Sequence, residues 1–144
     1  MSCNAKNRYA KSCVRVYNAN PQVVTDAATT LTLEGTPVVD TGCSLTLNAG
    51  GISVNKSGLY HLSADVTFTP TAAGTATIQL YKDGVALPCA LSQTTAVAAT
   101  TFTTHIETDL CINTCCVNRP VITLVISGVA GTVNRLCAGV LKLA

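Results

Sequence analysis

The chain has 144 residues, of which 48% are hydrophobic and 11% are charged, and its formal net charge is +2 at pH 7. This length is typical of one domain with a sizeable core. A charge so close to zero argues against the extended basic surface that nucleic-acid binding requires. No apolar run is long enough to span a membrane as a helix. We therefore expect a globular domain that binds neither nucleic acid nor a membrane.

The N-terminal residues 1–12 are polar and basic, and they lack the apolar segment of a signal peptide. They predict an arm that precedes a domain over residues 13–144, in a protein made in the cytoplasm. The candidate anchoring residues in or beside the arm are Cys3, Lys6, Arg8, Lys11 and Arg15. Such an arm either grips an acidic surface of another protein or is a solvated tail, and the sequence leaves both interpretations open.

The rest of the chain predicts an all-β domain with little helix. Val and Thr are frequent and fit a pleated sheet, and no segment shows sustained helical periodicity between capping signals. The expected strands cover residues 13–17, 30–33, 44–47, 51–55, 59–69, 76–82, 85–92, 100–110, 121–129 and 136–143. Ten short strands separated by turns indicate a jelly roll, with an immunoglobulin-like sandwich as the alternative. The chain has no Trp, a residue usual in the immunoglobulin core.

The stretch from Gly51 to Pro70 is the most informative segment. It joins two strand patterns through a turn at residues 55–58, and the second pattern alternates strictly. Tyr60, Leu62 and Phe68 fall on the apolar side of that strand, while His61 and its alternate neighbours fall on the polar side. The segment therefore predicts a half-buried strand.

Two later segments carry a family resemblance together with this one. Residues 76–88 predict a hairpin around Asp83-Gly84. Residues 137–143 predict the last strand of the domain, with Gly139 near its start. In pattern and order, residues 14–143 resemble the jelly roll of the C1q and tumour necrosis factor (TNF) superfamily. The resemblance implies an antiparallel sandwich of ten strands that forms a threefold homotrimer.

Four large side chains are candidates for packing along the trimer axis: Tyr60, Leu62, Tyr81 and Phe102. For each of them, burial in the core of its own sandwich is an equally good interpretation.

Eight cysteines are distributed along the chain. A zinc site usually draws paired ligands from two knuckles, and the sequence offers one close group, at residues 111–116, so we expect no metal. Disulfides formed after release from the cell are the favoured interpretation for Cys13, Cys43, Cys111, Cys115 and Cys116, with the pairing open. The alternative for Cys89 and Cys137 is a buried free thiol that packs as a small hydrophobe.

No catalytic pattern emerges. His61 and Asp65 share one face of a strand and offer an acid–base pair, but a solvated sheet face explains them more simply. Ser63 lacks the GxSxG nucleophile elbow, and no glycine-rich loop leads into a phosphate-binding helix. We expect neither an enzyme nor a bound cofactor.

This short chain begins Met-Ser-Cys and continues in a C1q-like body. In these features it resembles phage head fibres and capsid decoration proteins. The resemblance implies a virion accessory protein whose partners are its own copies and the major capsid protein or another particle surface protein. The alternative is a recognition module on a spore surface, or one that binds a host receptor or glycan. Scattered carboxylates and only six Tyr and Phe residues weigh against calcium and sugar sites.

Overall fold

In the computed structural model, residues 11–114 and 119–144 are described, and they form two antiparallel sheets packed face to face. The strands, in chain order, are β1 (Cys13–Asn18), β2 (Gln22–Val24), β3 (Thr29–Thr30), β4 (Thr36–Thr41), β5 (Leu45–Asn48), β6 (Gly51–Val54), β7 (Gly58–Pro70), β8 (Gly74–Lys82), β9 (Val85–Ala96), β10 (Phe102–Ile112), β11 (Val121–Ser127) and β12 (Gly131–Lys142). None of the described residues forms a helix able to cross a membrane.

The chain crosses repeatedly between the two sheets. Sheet 1 has the order β10-β7-β12-β1-β4, with β2 paired to the start of β12, and sheet 2 has the order β5-β6-β11-β8-β9, with β3 paired to β11. The first and last strands, β1 and β12, pair with each other, and β12 is the central strand of sheet 1. The turn at residues 55–58 therefore joins strands in different sheets and carries the chain across the sandwich.

The strict alternation of β7 is confirmed. Tyr60, Leu62 and Phe68 are fully buried between the sheets, whereas His61 and Asp65 lie on the opposite side of the strand. The Tyr60 hydroxyl donates a hydrogen bond to the Lys56 carbonyl oxygen over 2.5 Å, so the buried ring keeps its polar end satisfied. Burial of these large side chains stabilises the sandwich, by about 1.5–3 kcal/mol for each fully buried one.

The predicted hairpin is also confirmed. Lys82 pairs with Val85, so the connection is the two-residue turn Asp83-Gly84, with φ of 50° and 77°. Positive φ at both central residues is the type I′ geometry that matches the twist of the flanking strands. The Asp83 carboxylate then accepts a hydrogen bond from the Val121 amide over 2.9 Å, which ties the turn to the neighbouring strand.

Residues 22–41 differ from the sequence prediction. One strand was expected at residues 30–33, but this region holds the three short strands β2, β3 and β4, so the described residues form twelve strands rather than ten. β4 pairs along β1 at an edge of sheet 1, and five of its six residues are exposed. Because an exposed edge strand has no buried side to enforce alternation, its sequence lacked the expected pattern.

Candidate interaction face

The side of sheet 1 that points away from the core is the most distinctive surface of the described residues, and we call it the outer face. It displays the polar side chains of β7 and β10, and next to them the outward side chains of β12 and β1. Ser63 and Thr67 lie on this face yet are only 4% and 9% exposed. Neighbouring side chains therefore already cover the middle of the outer face.

A continuous row of titratable side chains runs along β7 and β10, and we call it the histidine–carboxylate ladder. Its members in spatial order are Asp109, His61, Glu107, His105 and Asp65. Strand register creates it, because His61 pairs with Asp109 and Asp65 pairs with His105 across the two strands. Cross-strand neighbours on one face lie close enough for their side chains to meet.

Both ring nitrogens of each histidine in the ladder face a carboxylate oxygen. His61 Nδ1 lies 2.6 Å from Asp109 Oδ1, and His105 Nδ1 lies 2.6 Å from Asp65 Oδ1. The Nε2 atoms lie 3.5 Å and 3.4 Å from the shared Glu107 Oε2. A neutral imidazole donates from one nitrogen only, whereas imidazolium donates from both, so at His105 the arrangement suits the protonated ring.

The pKa of His105 follows this geometry. Its hydrogen bond with Asp65 raises the pKa above the usual value of 6.5, partial burial lowers it, and the hydrogen bond with Glu107 adds to the rise. The attraction of the two carboxylate charges acts in the same direction.

Two arginines lie beside the ladder on the central strands, and we call them the arginine strip. Arg15 on β1 donates to Ser63 Oγ over 2.5 Å and to Cys137 Sγ over 3.4 Å, so its guanidinium crosses β12. Arg135 is exposed on β12, directly after a β-bulge that lies between Val133 and Arg135. The extra residue of a bulge changes which side the next side chain takes, and here Arg135 faces outward while Leu136 is buried.

Two hollows open on the outer face, and Arg15 lines the second of them. One has a volume of about 150 Å³, and its lining includes Asp65, Arg135 and Tyr17. The other has a volume of about 170 Å³ and its lining includes Cys13 and His61. Sites for small molecules usually measure about 300–1,000 Å³, so each hollow suits a single inserted side chain better than a ligand.

No protein-family model matches the sequence, and neither does any curated protein. Solved structures do match. The vertex protein P5 of PRD1 is 18% identical, with a TM-score of 0.71 over 92% of this chain and 73% of that one. Murine APRIL at pH 5.0 is 15% identical, with a TM-score of 0.68 over 93% of this chain and all of the other. Eiger TNF from S. frugiperda is 13% identical, with a TM-score of 0.65 and 93% coverage of both chains.

The fold is a TNF-like jelly roll. The resemblance inferred from the sequence, including the all-β architecture of two antiparallel sheets, is confirmed by these structures. At identities under 20%, the similarity establishes the fold, while the functional residues have to be argued from this chain itself.

The four large side chains proposed for packing occupy different places in the jelly roll. Tyr60 and Leu62 are fully buried inside the sandwich, so they are core residues of one copy and are shielded from a second copy. Phe102 packs at the edge of that core with its ring edge-on to Phe68, at a centroid distance of 5.8 Å. Tyr81 is half-buried on sheet 2.

The candidate arm residues Cys3, Lys6 and Arg8 lie outside the described residues. Lys11 is described, and its Nζ donates to the Leu143 carbonyl oxygen over 3.1 Å, which holds it against the C-terminal segment. Arg15 belongs to β1 and to the outer face, so the jelly roll positions it as part of the domain.

The cysteines depart from the expected pattern in part. Cys43 is disulfide-bonded, as expected. Cys13 and Cys111 were expected in disulfides but carry free thiols, and Cys89, expected to be buried, is exposed with a free thiol. Cys137 is free and half-buried beside Arg15. Cys115 and Cys116 lie outside the described residues.

The acid–base pair considered from the sequence is not formed. His61 and Asp65 share a face, but His61 contacts Asp109 and Asp65 contacts His105. Within the described part of the chain, no three His, Cys, Asp or Glu side chains are grouped so as to hold a metal ion. The sequence alone did not predict the ladder, because its members lie on two strands. They are brought together only by the register between β7 and β10.

Proposed function

We propose that this chain is a structural component of a phage particle, a capsid decoration or head fibre protein that forms homotrimers on the capsid surface. The observation that carries the proposal is the shared fold with PRD1 vertex protein P5 over 92% of this chain. That protein's name places it at a phage vertex, and the jelly roll described here corresponds to 73% of its chain.

The surface chemistry agrees with a particle protein that acts by binding. The residues of the outer face make hydrogen bonds and ion pairs with one another, and they are spread over a sheet rather than gathered in a deep cleft. With 11% charged residues and 48% hydrophobic residues, a domain of this size exposes apolar surface that contact with other copies would remove from water. A trimer suits a capsid, whose lattice offers threefold positions.

We assign capsid attachment to the N-terminal arm, which carries Lys6 and Arg8 without a neighbouring acid. Ser12, at the end of the proposed arm, contacts the jelly roll: its carbonyl accepts from the Lys142 amide and its hydroxyl from the Ser44 amide. The truncation that tests attachment therefore removes residues 1–10 and leaves Lys11 and Ser12 in place.

The test compares full-length protein, the 1–10 truncation and the variant Lys6→Ala/Arg8→Ala for binding to purified particles of the encoding phage. Solution mass and circular dichroism control for assembly and folding. We expect the truncated protein to stay trimeric but to lose co-sedimentation with particles, and the double alanine variant to bind more weakly. Co-sedimentation of the truncated protein at the full-length level would contradict the role of the arm. Immunogold labelling that misses the virion would contradict the proposed function.

The second candidate is a recognition module that binds a receptor or glycan on a host or spore surface. The similarity to APRIL and Eiger TNF favours it, because those chains share the fold over 93% of this one. Labelling of spores or host cells in place of virions would support this candidate.

A further inference from the structure

Asp65 lies between a histidine and an arginine on the outer face of sheet 1. Across the pairing of β7 with β10 its carboxylate faces His105, and Asp65 Oδ1 is 2.6 Å from His105 Nδ1. On its other side, β12 places Cys137 opposite Asp65 and Arg135 on the diagonal, two residues earlier. Diagonal neighbours in a sheet are within reach of a long side chain. Asp65 therefore has a possible cationic partner on each side.

The Arg135 guanidinium is exposed and has no ionic partner. Within residues 11–114 and 119–144 it makes no hydrogen bond or ion pair. Arg135 and Asp65 line one hollow of about 150 Å³, and Tyr17 and Cys137 are the other ionisable residues of that lining. A guanidinium offers planar donors that match a carboxylate, so Arg135 would pair with Asp65 if that carboxylate turned toward it.

We propose that Asp65 is a proton-controlled switch, which pairs with His105 while the imidazole is protonated and turns to Arg135 when the imidazole is neutral. Pairing with His105 leaves the hollow open, whereas pairing with Arg135 closes it. The switch makes the shape and charge of the outer face respond to pH. All three residues belong to one copy of the chain, so the switch does not depend on the proposed homotrimer.

The number of donors on His105 explains why its proton decides the partner of Asp65. Imidazolium donates from both nitrogens, so it serves Asp65 through Nδ1 and Glu107 through Nε2. A neutral ring donates from one nitrogen, and its other nitrogen then turns a lone pair toward a carboxylate. Farther along β10, Asp109 is engaged with His61. The adjacent strand β9 contributes no charged side chain, so Asp65 and Glu107 are the acids that act on His105.

Of these two carboxylates, Asp65 is the one with an unoccupied cation in reach. Glu107 is shared with His61, whose Nε2 lies 3.5 Å from Glu107 Oε2. Arg15, which crosses from β1 toward β7, already donates to two side chains of the outer face. Arg135 has no such partner among the described residues. Loss of the proton therefore releases Asp65 rather than Glu107.

NMR of the full chain tests the switch without any substitution. The imidazole nitrogen shifts between pH 5 and pH 9 give the titration midpoint of His105, and the guanidinium nitrogen shifts of Arg135 report its pairing. We expect the Arg135 shifts to change with the same midpoint as His105. Arg135 shifts that stay constant through the titration of His105 would overturn the proposal.

Removal of the arginine gives a second measurement. Arg135 favours the neutral ring by holding Asp65, so we expect Arg135→Gln to raise the His105 midpoint by about 0.3 pH unit, the scale of one exposed ion pair. Arg135→Lys should keep most of the parent value. Arg119→Gln, the control at an exposed arginine outside the hollow, should leave the midpoint as in the parent. An unchanged midpoint in Arg135→Gln would contradict the switch.

The same substitution in an Asp65→Asn background separates the switch from a simple charge effect. Without the carboxylate, Arg135 has nothing to draw away from His105, so Arg135→Gln should no longer move the midpoint. An equal shift with and without the Asp65 carboxylate would show that Arg135 acts on His105 through its charge alone, and the proposal would then be wrong. Circular dichroism checks that each variant is folded.

Discussion

His105 Nδ1 lies 2.6 Å from Asp65 Oδ1, across the pairing of β10 with β7. This contact and the Glu107 carboxylate raise the pKa of His105 in the folded chain. A raised pKa means that the folded state binds the proton more tightly than the unfolded state does. His105 therefore links stability to pH.

The first prediction concerns that linkage. The stabilisation from His105 is fully present below its unfolded pKa of about 6.5 and is lost as the pH rises through the higher folded value. Because the ladder is exposed, we expect an effect of a few tenths of a kcal/mol. Urea unfolding between pH 5.5 and 8.5 should show that the variant His105→Gln loses this part of the pH dependence. An unchanged pH profile in the variant would contradict the assignment.

The second prediction tests the interior of β7. Leu62 is fully buried and Leu91 on β9 is 43% exposed, so the two residues form a matched pair. We expect Leu62→Ala to lower the free energy of unfolding by about 2–5 kcal/mol through lost burial and a residual cavity. We expect Leu91→Ala to cost less than about 1 kcal/mol. Equal losses in chemical denaturation would show that the sides of β7 are assigned incorrectly.

The third prediction uses two glycines. Gly128 has φ of 97°, and a Cβ there would collide with the Thr75 carbonyl oxygen, whereas a Cβ at Gly50 meets nothing within 4 Å. We expect Gly128→Ala to destabilise the fold by more than about 1 kcal/mol, because strain and a backbone clash combine. Gly50→Ala should be within about 0.5 kcal/mol of the parent. Thermal unfolding of both variants and of the parent measures the difference in their stability.

The fourth prediction concerns the free thiols. Cys89 and Cys111 are exposed, while Cys13 is half-buried and burial raises the pKa of its thiol. Because the thiolate is the reactive form, we expect iodoacetamide at pH 7.5 to modify Cys89 and Cys111 before Cys13. Peptide mass spectrometry over a time course gives the order. Earlier modification of Cys13 would show that the outer face around β1 is more open than described.

Local patterns predicted much of the sandwich. The alternation of β7 placed Tyr60 and Leu62 on the buried side, and Asp83-Gly84 located the hairpin between β8 and β9. Both features depend on residues that are close in sequence, one through the side-chain period of a strand and the other through backbone φ preference. They can therefore be predicted from the sequence alone.

Features that depend on distant residues were missed. β2 and β4 are short, and they exist because β12 and β1 offer them pairing partners. The bulge that turns Arg135 outward depends on how β12 pairs with β7. The sequence placed His61 near Asp65, whereas the register of β10 gave each of them a different partner.

The sequence by itself determined an all-β jelly roll, the buried side of its longest strand and its tightest hairpin, because these follow from a two-residue side-chain period and from the conformational freedom of glycine. Only the tertiary structure decided that β1 pairs with β12 in sheet 1 and that β7 and β10 align their histidines with carboxylates. Those outcomes arise from pairing between segments far apart in the chain, and a single residue of register change would move every side chain of a strand to its other side.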